Sequence, residues 1–378
     1  MRLLRIALAG VAVLAAAGIG AALLALPAAR PRAAALPEIS EAERAAVVAQ
    51  LRPPKRARPL VAVFAANGGT ETTDFVVPLG VLRASHSADV LAVALQDAPV
   101  ELHPALRVRP DLDVAAFDAR YGDGADYVIV PALHDAKEPA ALAWLQAQAR
   151  KGATMVGICD GGWVLGAAGL LDGRAATSHW LWVSRMPKTF PGMTWVTDRR
   201  YVVDRGVATT TGISASIPLS LTLVEAIAGP ERAAEVAREF GVPGFGAGHV
   251  SRDFALDRPA VFTAARNLLA FWKHETLELE LRDGVDEVAV ALAADAWQRT
   301  YRASVRTLAP EPEVRSRRGL RFLADATGTA THPIALPAAG SSTVDAVLRD
   351  IDARYGAPTA DFVALQLEYE PPVKPPAR

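Results

Sequence analysis

Residues 157–162, with the sequence Gly-Ile-Cys-Asp-Gly-Gly, decide the fold that this chain adopts. They separate a short apolar run, residues 154–158, from a helix-like run, residues 163–171. This is the Gly-x-nucleophile-x-Gly pattern of a sharp turn between a strand and a helix. The glycines indicate that side chains have no room beside the nucleophile, which here is Cys159.

Cys159 is the only cysteine among the 378 residues, so no disulfide within the chain is expected. A helix that begins just after the sulfur directs its partial positive charge at it. That charge lowers the pKa of a thiol and favours the reactive thiolate. The alternative is that Cys159 only packs in the core, because free cysteines are among the most buried residues.

Composition indicates a large globular chain of two domains, or of one domain with an appendage. Hydrophobic residues make up 51% of the sequence, enough for a sizeable core, and the formal net charge is −1. This charge gives no general attraction to a polyanion, so we expect no nucleic-acid partner. The sequence has no His-Glu-x-x-His, phosphate-loop or Cys-x-x-Cys motif, and we expect no cofactor and no metal.

The N-terminus is a long apolar run. Residues 6–29 are uncharged, and as a helix they would span about 36 Å, against roughly 30 Å for the hydrocarbon core of a bilayer. Residues 1–32 are therefore predicted to be a signal-anchor or transmembrane segment, or a long signal peptide, with a buried soluble helix as the alternative. We expect the protein to be membrane-anchored or exported, with its body outside the cytoplasm.

Residues 33–58 are predicted to hold a short helix, residues 41–51, and a basic, proline-broken linker. Ser40 and Glu43 form a capping box at the start of this helix. We expect the linker to be a solvated spacer, with contact to anionic lipid headgroups as the alternative.

Residues 59–248 alternate between buried strands and helices. Four continuous apolar runs predict the strands, at residues 60–65, 89–95, 127–130 and 154–158. The alternation predicts an α/β fold with a doubly wound, mostly parallel sheet that is covered on both faces. In such sheets, reactive groups collect at the carboxyl ends of the strands. A hairpin is predicted over residues 201–210.

Residues 249–370 are predicted to be a degenerate second α/β unit. Residues 88–113 align with residues 303–325 at matching apolar positions, and residues 362–367 fall where the strand before Cys159 would recur. Chance similarity between strands rich in alanine and valine is the alternative. Residues 371–378 are predicted to be a disordered tail.

Cys159 needs a group that accepts its proton or orients it. His179 lies 20 residues further on, a gap that fits the helix and a return of the chain to the sulfur, although a structural histidine is the alternative. Asp74 and Glu71 follow the first predicted strand and so lie at the same edge of the sheet. Asp74 is also suited to be only a helix cap. A charged Asp160 would raise the pKa of the thiol unless its side chain points away.

Residues 158–180 resemble the ThiJ/PfpI superfamily, and within it the isonitrile hydratases and the sensor domains of GlxA-type AraC regulators. Residues 74–82 match the D-x-x-x-P-x-x-V-L segment of that branch, and residues 210–217 match its T-x-G-x-x-A-x-I segment. The resemblance implies a flavodoxin-like fold of class I glutamine-amidotransferase type. It also implies a homodimer.

The same resemblance implies Cys159 as the nucleophile, Asp74 as its carboxylate partner and His179 nearby. The backbone amides of Asp160, Gly161 and Leu133 are expected to hold a developing anion. Two positions depart from the family. Asp160 stands where Thr or Ser is usual, and Ala132-Leu133 replaces a pair of glycines. The regulators' DNA-binding helix-turn-helix is not recognisable in the last third of the chain.

The sequence therefore predicts a cysteine-dependent hydrolase or hydratase that acts on a small carbonyl, amide or isonitrile-like substrate. Cys159 would attack an electrophilic carbon while Asp74 and His179 manage protons. The alternative is a non-catalytic sensor or binding protein that holds a small ligand in the same pocket or reports oxidation. The two departures from the family favour this alternative.

Overall fold

The computed structural model describes residues 25–30, 35–242, 244–331, 333–337 and 340–370. Most of the predicted signal-anchor and the whole predicted tail lie outside these residues, so both stay predictions. Within the described part of the chain, no helix is both long and apolar enough to cross a membrane.

The first α/β unit contains most of the helices and strands. Its first helix begins with the predicted cap, in which Ser40 Oγ accepts a hydrogen bond from Glu43 N. In chain order the elements are α1 Glu41–Gln50, β1 Leu60–Ala65, β2 Thr70–Glu71, α2 Thr72–Ala84, β3 Asp89–Ala94, β4 Val100–His103, β5 Arg107–Arg109, β6 Leu112–Asp113, α3 Val114–Arg120, β7 Tyr127–Val130, α4 Pro139–Arg150, β8 Thr154–Gly157, α5 Gly161–Ala167, β9 Ala175–Ala176, α6 Met186–Thr189, β10 Thr194–Trp195, β11 Tyr201–Asp204, β12 Val207–Thr210, α7 Ser216–Ala228 and α8 Pro230–Glu239.

A seven-stranded sheet forms the centre of this unit, in the order β11-β12-β8-β7-β1-β3-β6. Neighbouring strands are parallel except β11, which forms the predicted hairpin with β12. Side chains of β1 alternate between two hydrophobic cores, with Val61 and Val63 in one and Ala62 and Phe64 in the other. Both faces are covered, so the predicted α/β fold with a mostly parallel sheet is confirmed.

The C-terminal third forms a second, smaller α/β unit. Its elements are α9 Arg258–Leu269, β13 Glu275–Glu280, α10 Glu287–Gln298, β14 Ala303–Ala309, β15 Glu313–Arg315, β16 Arg321–Leu323, β17 Ala326–Thr327, α11 Thr343–Tyr355 and α12 Ala357–Gln366. Strands β13, β14 and β17 form a parallel three-stranded sheet.

The two units share an order of elements. In each, a strand, a helix and a parallel strand are followed by a hairpin and a further short parallel strand. A matching aspartate precedes each short strand: Asp111 accepts a hydrogen bond from Ala92 N at 2.7 Å, and Asp325 accepts one from Thr307 N at 2.8 Å. The structure thus pairs Asp325 with Asp111 rather than with Asp113, as the sequence alignment has it, and the repeat and its boundaries stay predictions.

The expectation of a strand at residues 362–367 is wrong, because these residues lie mainly in helix α12. Gly356, with φ of 88°, ends α11, and Pro358 stands in the first turn of α12. A short apolar run does not by itself distinguish a strand from a buried helix.

The two units are joined by a shared sheet and a shared core. Strand β5 pairs antiparallel with β16, so that the hairpins of both units form one sheet, in the order β15-β16-β5-β4-β2. Helix α2 packs against α10, and Gly80 of α2 lies so close to α10 that a Cβ there would collide with Val288. Leu279 and Val290 of the second unit belong to the same core as Val63. The second unit therefore covers one face of the large sheet.

The basic linker is held against the first unit, which corrects the expectation of a solvated spacer. The backbone amides of Lys55 and Arg56 both donate to Asp126 Oδ1 at 3.0 Å, and Arg56 Nη1 lies 2.6 Å from Asp126 Oδ2. Asp126 is fully buried, so its charge requires these partners.

Substitution Gly80→Ala should destabilise the protein, because the added methyl group has no space between α2 and α10. We expect a loss of about 1–3 kcal/mol in the free energy of unfolding, measured by urea denaturation. Gly122→Ala is the matched control, since a Cβ at Gly122 meets nothing within 4 Å. Equal effects of the two substitutions would contradict the close packing of the two units.

Candidate functional site

Cys159 occupies the turn between β8 and α5 in a conformation that few residues adopt. Its φ is 52°, in the left-handed region that disfavours any residue with a Cβ. Two hydrogen bonds hold it there: its amide donates to Thr210 Oγ1 at 2.8 Å, and its carbonyl accepts from Ser178 Oγ at 3.0 Å. The side chain is buried, with 6% of the residue exposed.

The glycines of the turn are there because the backbone comes close on both sides. A Cβ on Gly157 would lie 2.9 Å from backbone atoms of Gly161 and Gly162. A Cβ on Gly161 would collide with the carbonyl oxygen of Val130, on the neighbouring strand. The prediction that side chains have no room beside the nucleophile position is confirmed.

Asp74 lies in the first turn of α2 and is fully buried. Its Oδ2 accepts a hydrogen bond from Ala132 N at 3.1 Å, whereas its Oδ1 has no hydrogen-bond partner in the described part of the chain. Asp74 is not the cap of α2. Glu71 has that role, accepting a hydrogen bond from Asp74 N at 2.6 Å.

Burial, followed by the charge of Glu71, raises the pKa of Asp74 well above its ordinary value. Burial and the charge of Asp295 also raise the pKa of Glu71, to about 7, although Arg299 opposes this shift. Asp74 and Glu71 therefore form a pair of carboxyl groups in which protonation is favoured.

The pKa of the Cys159 thiol is raised, which corrects the expectation of a stabilised thiolate. Burial is the largest cause, and the nearby carboxylates of Asp74 and Asp160 add to it. Helix α5 has only seven residues, and a helix terminus contributes about 0.3–1 kcal/mol. Burial and negative charge outweigh that contribution here.

Asp160 lies beside the sulfur, with its Oδ1 4.0 Å from Cys159 Sγ. Burial raises the pKa of Asp160, and the charge of His179 opposes the rise. The side chain therefore does not point away from the sulfur, and in its ionised form it disfavours the thiolate.

His179 is brought to the site, but both of its ring nitrogens contact backbone groups. Leu181 N lies 3.4 Å from Nδ1, and Nε2 lies 3.2 Å from Gln366 O. His179 thus lies near Asp160 without a free nitrogen directed at the sulfur.

The three backbone amides that are expected to bind an anion differ in whether they already donate a hydrogen bond. The amide of Gly161 donates to Ile158 O at 2.7 Å within the turn, and so it is occupied. Leu133 forms an isolated antiparallel bridge with Thr70. The amides of Asp160 and Leu133 are the remaining expected donors.

The second unit supplies three residues that sequence reasoning missed, two through their side chains and one through its backbone carbonyl. Arg299 Nη2 lies 2.9 Å from Glu71 Oε1, and its Nε lies 2.8 Å from both oxygens of the buried Asp295. Gln366 contributes the carbonyl that accepts from His179. No local motif marks these residues, because they lie at or just after the C-terminal ends of helices in the second unit.

Glu368 is the third of these residues, and its side chain contacts the segments around His179 and Gly212. Its Oε2 accepts from Gly212 N at 2.6 Å and from Trp180 N at 3.3 Å, and its Oε1 lies 2.9 Å from His249 Nε2. Glu368 is 4% exposed, and its own φ is 52°. We call residues 365–368, which contact Trp180, His179 and Gly212, the C-terminal cover.

Among the residues that the structure describes, no group of three or more histidine, cysteine, aspartate or glutamate side chains is arranged to hold a metal ion. The site thus consists of a buried thiol, a group of carboxyl groups and one partly buried guanidinium. Such a set can transfer protons and form a covalent bond through sulfur.

Comparison with known proteins places the sequence among relatives of several kinds. The model of the DJ-1/PfpI family matches residues 60–226. Isonitrile hydratase of Pseudomonas putida is 31% identical over 168 residues, which cover 42% of this chain and 68% of that protein. The transcriptional regulator CdhR of Pseudomonas aeruginosa is 39% identical over 102 residues, which cover 27% of this chain and 30% of the regulator.

The chain thus spans less than a third of the length of CdhR. It also spans 27% of the length of GbdR, a second transcriptional regulator of that organism. Among solved structures, DJ-1beta of Drosophila melanogaster has 23% sequence identity and a TM-score of 0.44, and covers 49% of this chain and 98% of its own. The match to the family model and to isonitrile hydratase shows that the chain belongs to the DJ-1/PfpI family, with the family domain at residues 60–226.

Proposed function

We propose that this protein is a cysteine-dependent hydratase or hydrolase that acts on a small molecule with an electrophilic carbon. The observation that carries the proposal is the conformation of Cys159, which is strained and held by Thr210 and Ser178 next to a buried carboxyl group. Strained backbone of this kind persists where a function requires it. A cysteine that only fills the core has no need of such a turn.

Asp74 supports the proposal because its Oδ1 is buried and has no hydrogen-bond partner among the residues that the structure describes. An unsatisfied buried oxygen costs about 1–3 kcal/mol, so a partner is expected during function. The raised pKa of Asp74 favours its protonated form, which can donate a proton to a bound substrate or exchange one with the thiol.

The relative named isonitrile hydratase suggests a substrate with which to write the reaction. The sulfur of Cys159 forms a bond to the isonitrile carbon, and the thiol proton passes through Asp74 to the same carbon, giving a thioimidate. Water then adds to that carbon, the carbon–sulfur bond breaks and the thiol regains a proton. The product is an N-substituted formamide, so the reaction is a hydration in which nothing is oxidised or reduced.

The raised pKa of the thiol fits this order of events. Because the thiolate is disfavoured, proton transfer must accompany attack by sulfur rather than precede it. Asp74 is the neighbouring carboxyl with the largest effect on the thiol pKa, and so it is the proton carrier that we assign. His179, whose nitrogens contact the backbone, is assigned to hold the C-terminal cover and to interact with Asp160.

A second candidate is a binding or sensing protein that uses the same site without turnover. The closed C-terminal cover and the raised thiol pKa favour it, since both reduce the reactivity of Cys159. Because relatives include transcriptional regulators, the expectation of no nucleic-acid partner stays a prediction, as do the homodimer and the location outside the cytoplasm.

Substitution Cys159→Ala should abolish turnover while the protein stays folded. Asp74→Asn should lower turnover by roughly 10²–10⁴-fold, as expected for a general acid. Formamide production from small alkyl isonitriles, and hydrolysis of small amides, would be followed by mass spectrometry. The surface substitution Asp350→Asn is the control and should leave turnover unchanged. Full activity in Cys159→Ala would exclude the mechanism, whereas binding without turnover in the unmodified protein would favour the sensor.

Substitution Glu368→Ala should speed the alkylation of Cys159 by iodoacetamide at constant pH. Hydrogen bonds to a charged group are worth about 1.5–3 kcal/mol, so opening of the C-terminal cover should become roughly tenfold more frequent or more. The exposed Asp350→Ala, in the same unit, is the control. An unchanged rate in Glu368→Ala would mean that the sulfur is reached from another side.

Glu71 should make the protein less stable as the pH rises from about 4.5 to about 7. Its pKa is higher in the folded protein than its ordinary value of 4.5, so the folded state holds the proton more tightly than the unfolded chain. This contribution is present below pH 4.5 and is lost as the pH passes 7, on the order of 3 kcal/mol. Urea unfolding across this range should show a smaller decrease for Glu71→Gln than for the unmodified protein. Surface Glu101→Gln, the control, should retain the decrease, and the same slope in Glu71→Gln would disprove the assignment.

A further inference from the structure

Helix α9 and the turn that follows it carry an exposed apolar surface, which we call the aromatic patch. It consists of Phe262, Leu268, Leu269, Phe271 and Trp272, which are between 53% and 72% exposed. The rings of Phe271 and Trp272 contact each other edge to face, with centroids 5.2 Å apart. Single exposed apolar side chains are ordinary, but a contiguous group of this size marks an interaction surface.

Helix α9 is held firmly on the protein by one face, so its opposite face is exposed in a fixed orientation. Ala260, Thr263 and Asn267, spaced three and four residues apart, form its buried face, and α9 packs there against α12. Asn267 Nδ2 donates to Thr300 O at 2.9 Å. One face of α9 is thus fixed to the protein, and the opposite face presents large apolar side chains where polar ones are expected.

The N-terminal end of the described chain lies at the start of the same helix. Arg258 N donates to Pro27 O and Arg258 Nε donates to Leu26 O, both at 3.0 Å. Arg30 Nε lies 3.0 Å from Asp257 Oδ2, in an ion pair that is largely buried. The described part of the predicted signal-anchor, residues 25–30, therefore lies beside α9.

The composition around the aromatic patch fits a lipid surface. Tryptophan and other aromatic residues are favoured at the headgroup level of a bilayer, and exposed basic residues beside them meet anionic lipid phosphates. Arg266 and Lys273 are exposed next to the patch. The contacts of Leu26 and Arg30 put the described end of the predicted signal-anchor next to the aromatic patch.

We propose that the aromatic patch is a lipid-facing surface, which rests in the headgroup region of an anionic bilayer. Helix α9 would lie in the plane of the interface, with its buried face on the protein and with Phe262 and Leu269, seven positions apart, in contact with lipid. The proposal concerns a surface distinct from Cys159 and does not depend on the activity of that residue.

Trp272 provides a direct test with the full chain. The chain has seven tryptophans, none of them in residues 1–30, and among those in the described part Trp272 is the highly exposed one. Vesicles of phosphatidylcholine and phosphatidylglycerol with brominated acyl chains should quench part of the tryptophan emission, because bromine quenches only on near contact. Trp272→Phe should lose this quenching, whereas Trp195→Phe should retain it. Unbrominated vesicles of the same composition control for binding alone.

Four outcomes would overturn the proposal. The unmodified chain does not sediment with the vesicles, or it sediments without quenching, which means that the N-terminal run alone holds it. Acrylamide fails to quench Trp272 in the absence of vesicles, which means that residues 6–24 cover the patch. The unmodified chain has twice the mass of one chain in solution, and the double variant Phe271→Ser, Trp272→Ser has the mass of one chain, which assigns the patch to contact with a second copy.

Discussion

The pairing of Arg299 with two carboxyl groups, the fully buried Asp295 and the partly buried Glu71, is the interaction on which the arrangement of the site depends. Asp295 and Arg299 belong to the second unit, and Glu71 belongs to the first. Removing one partner of a buried ion pair destabilises a protein by about 3–5 kcal/mol, because the other charge is left uncompensated. The units therefore stay together at this point. Because Glu71 also accepts the hydrogen bond from Asp74 N, the position of Asp74 depends indirectly on a cation from the other half of the chain.

The accumulation of acidic groups around Cys159 sets the chemistry that is open to it. Burial and several carboxylates raise the pKa values of the thiol and of Asp74 together, so protons are retained at the centre of the site. A site of this kind differs from one in which a cationic partner generates a free thiolate. It is suited to a reaction in which sulfur attack and proton transfer occur together, or to holding a ligand without reaction.

Local sequence determined much of the fold. The continuous apolar runs predicted the central strands, and the glycines around Cys159 predicted the tight turn, because both are consequences of steric constraints within a few residues. The shared position of Asp74 and Cys159 at one edge of the sheet followed from the rule for parallel strands. The strand expected at residues 362–367 was wrong because a short apolar run fits a buried helix equally well.

The sequence by itself determined the tight turn at Cys159, the parallel sheet and the place of Asp74 and Glu71 at its carboxyl edge. Only the tertiary structure decided the protonation state and the covering of the site. The contact between Arg299 and Glu71 joins residues 228 positions apart, and that between Glu368 and Gly212 joins residues 156 positions apart. No periodicity or motif reports contacts at such separations. The pKa of Cys159 depends on burial and on all neighbouring charges at once, which a helix N-terminus read from the sequence does not reveal.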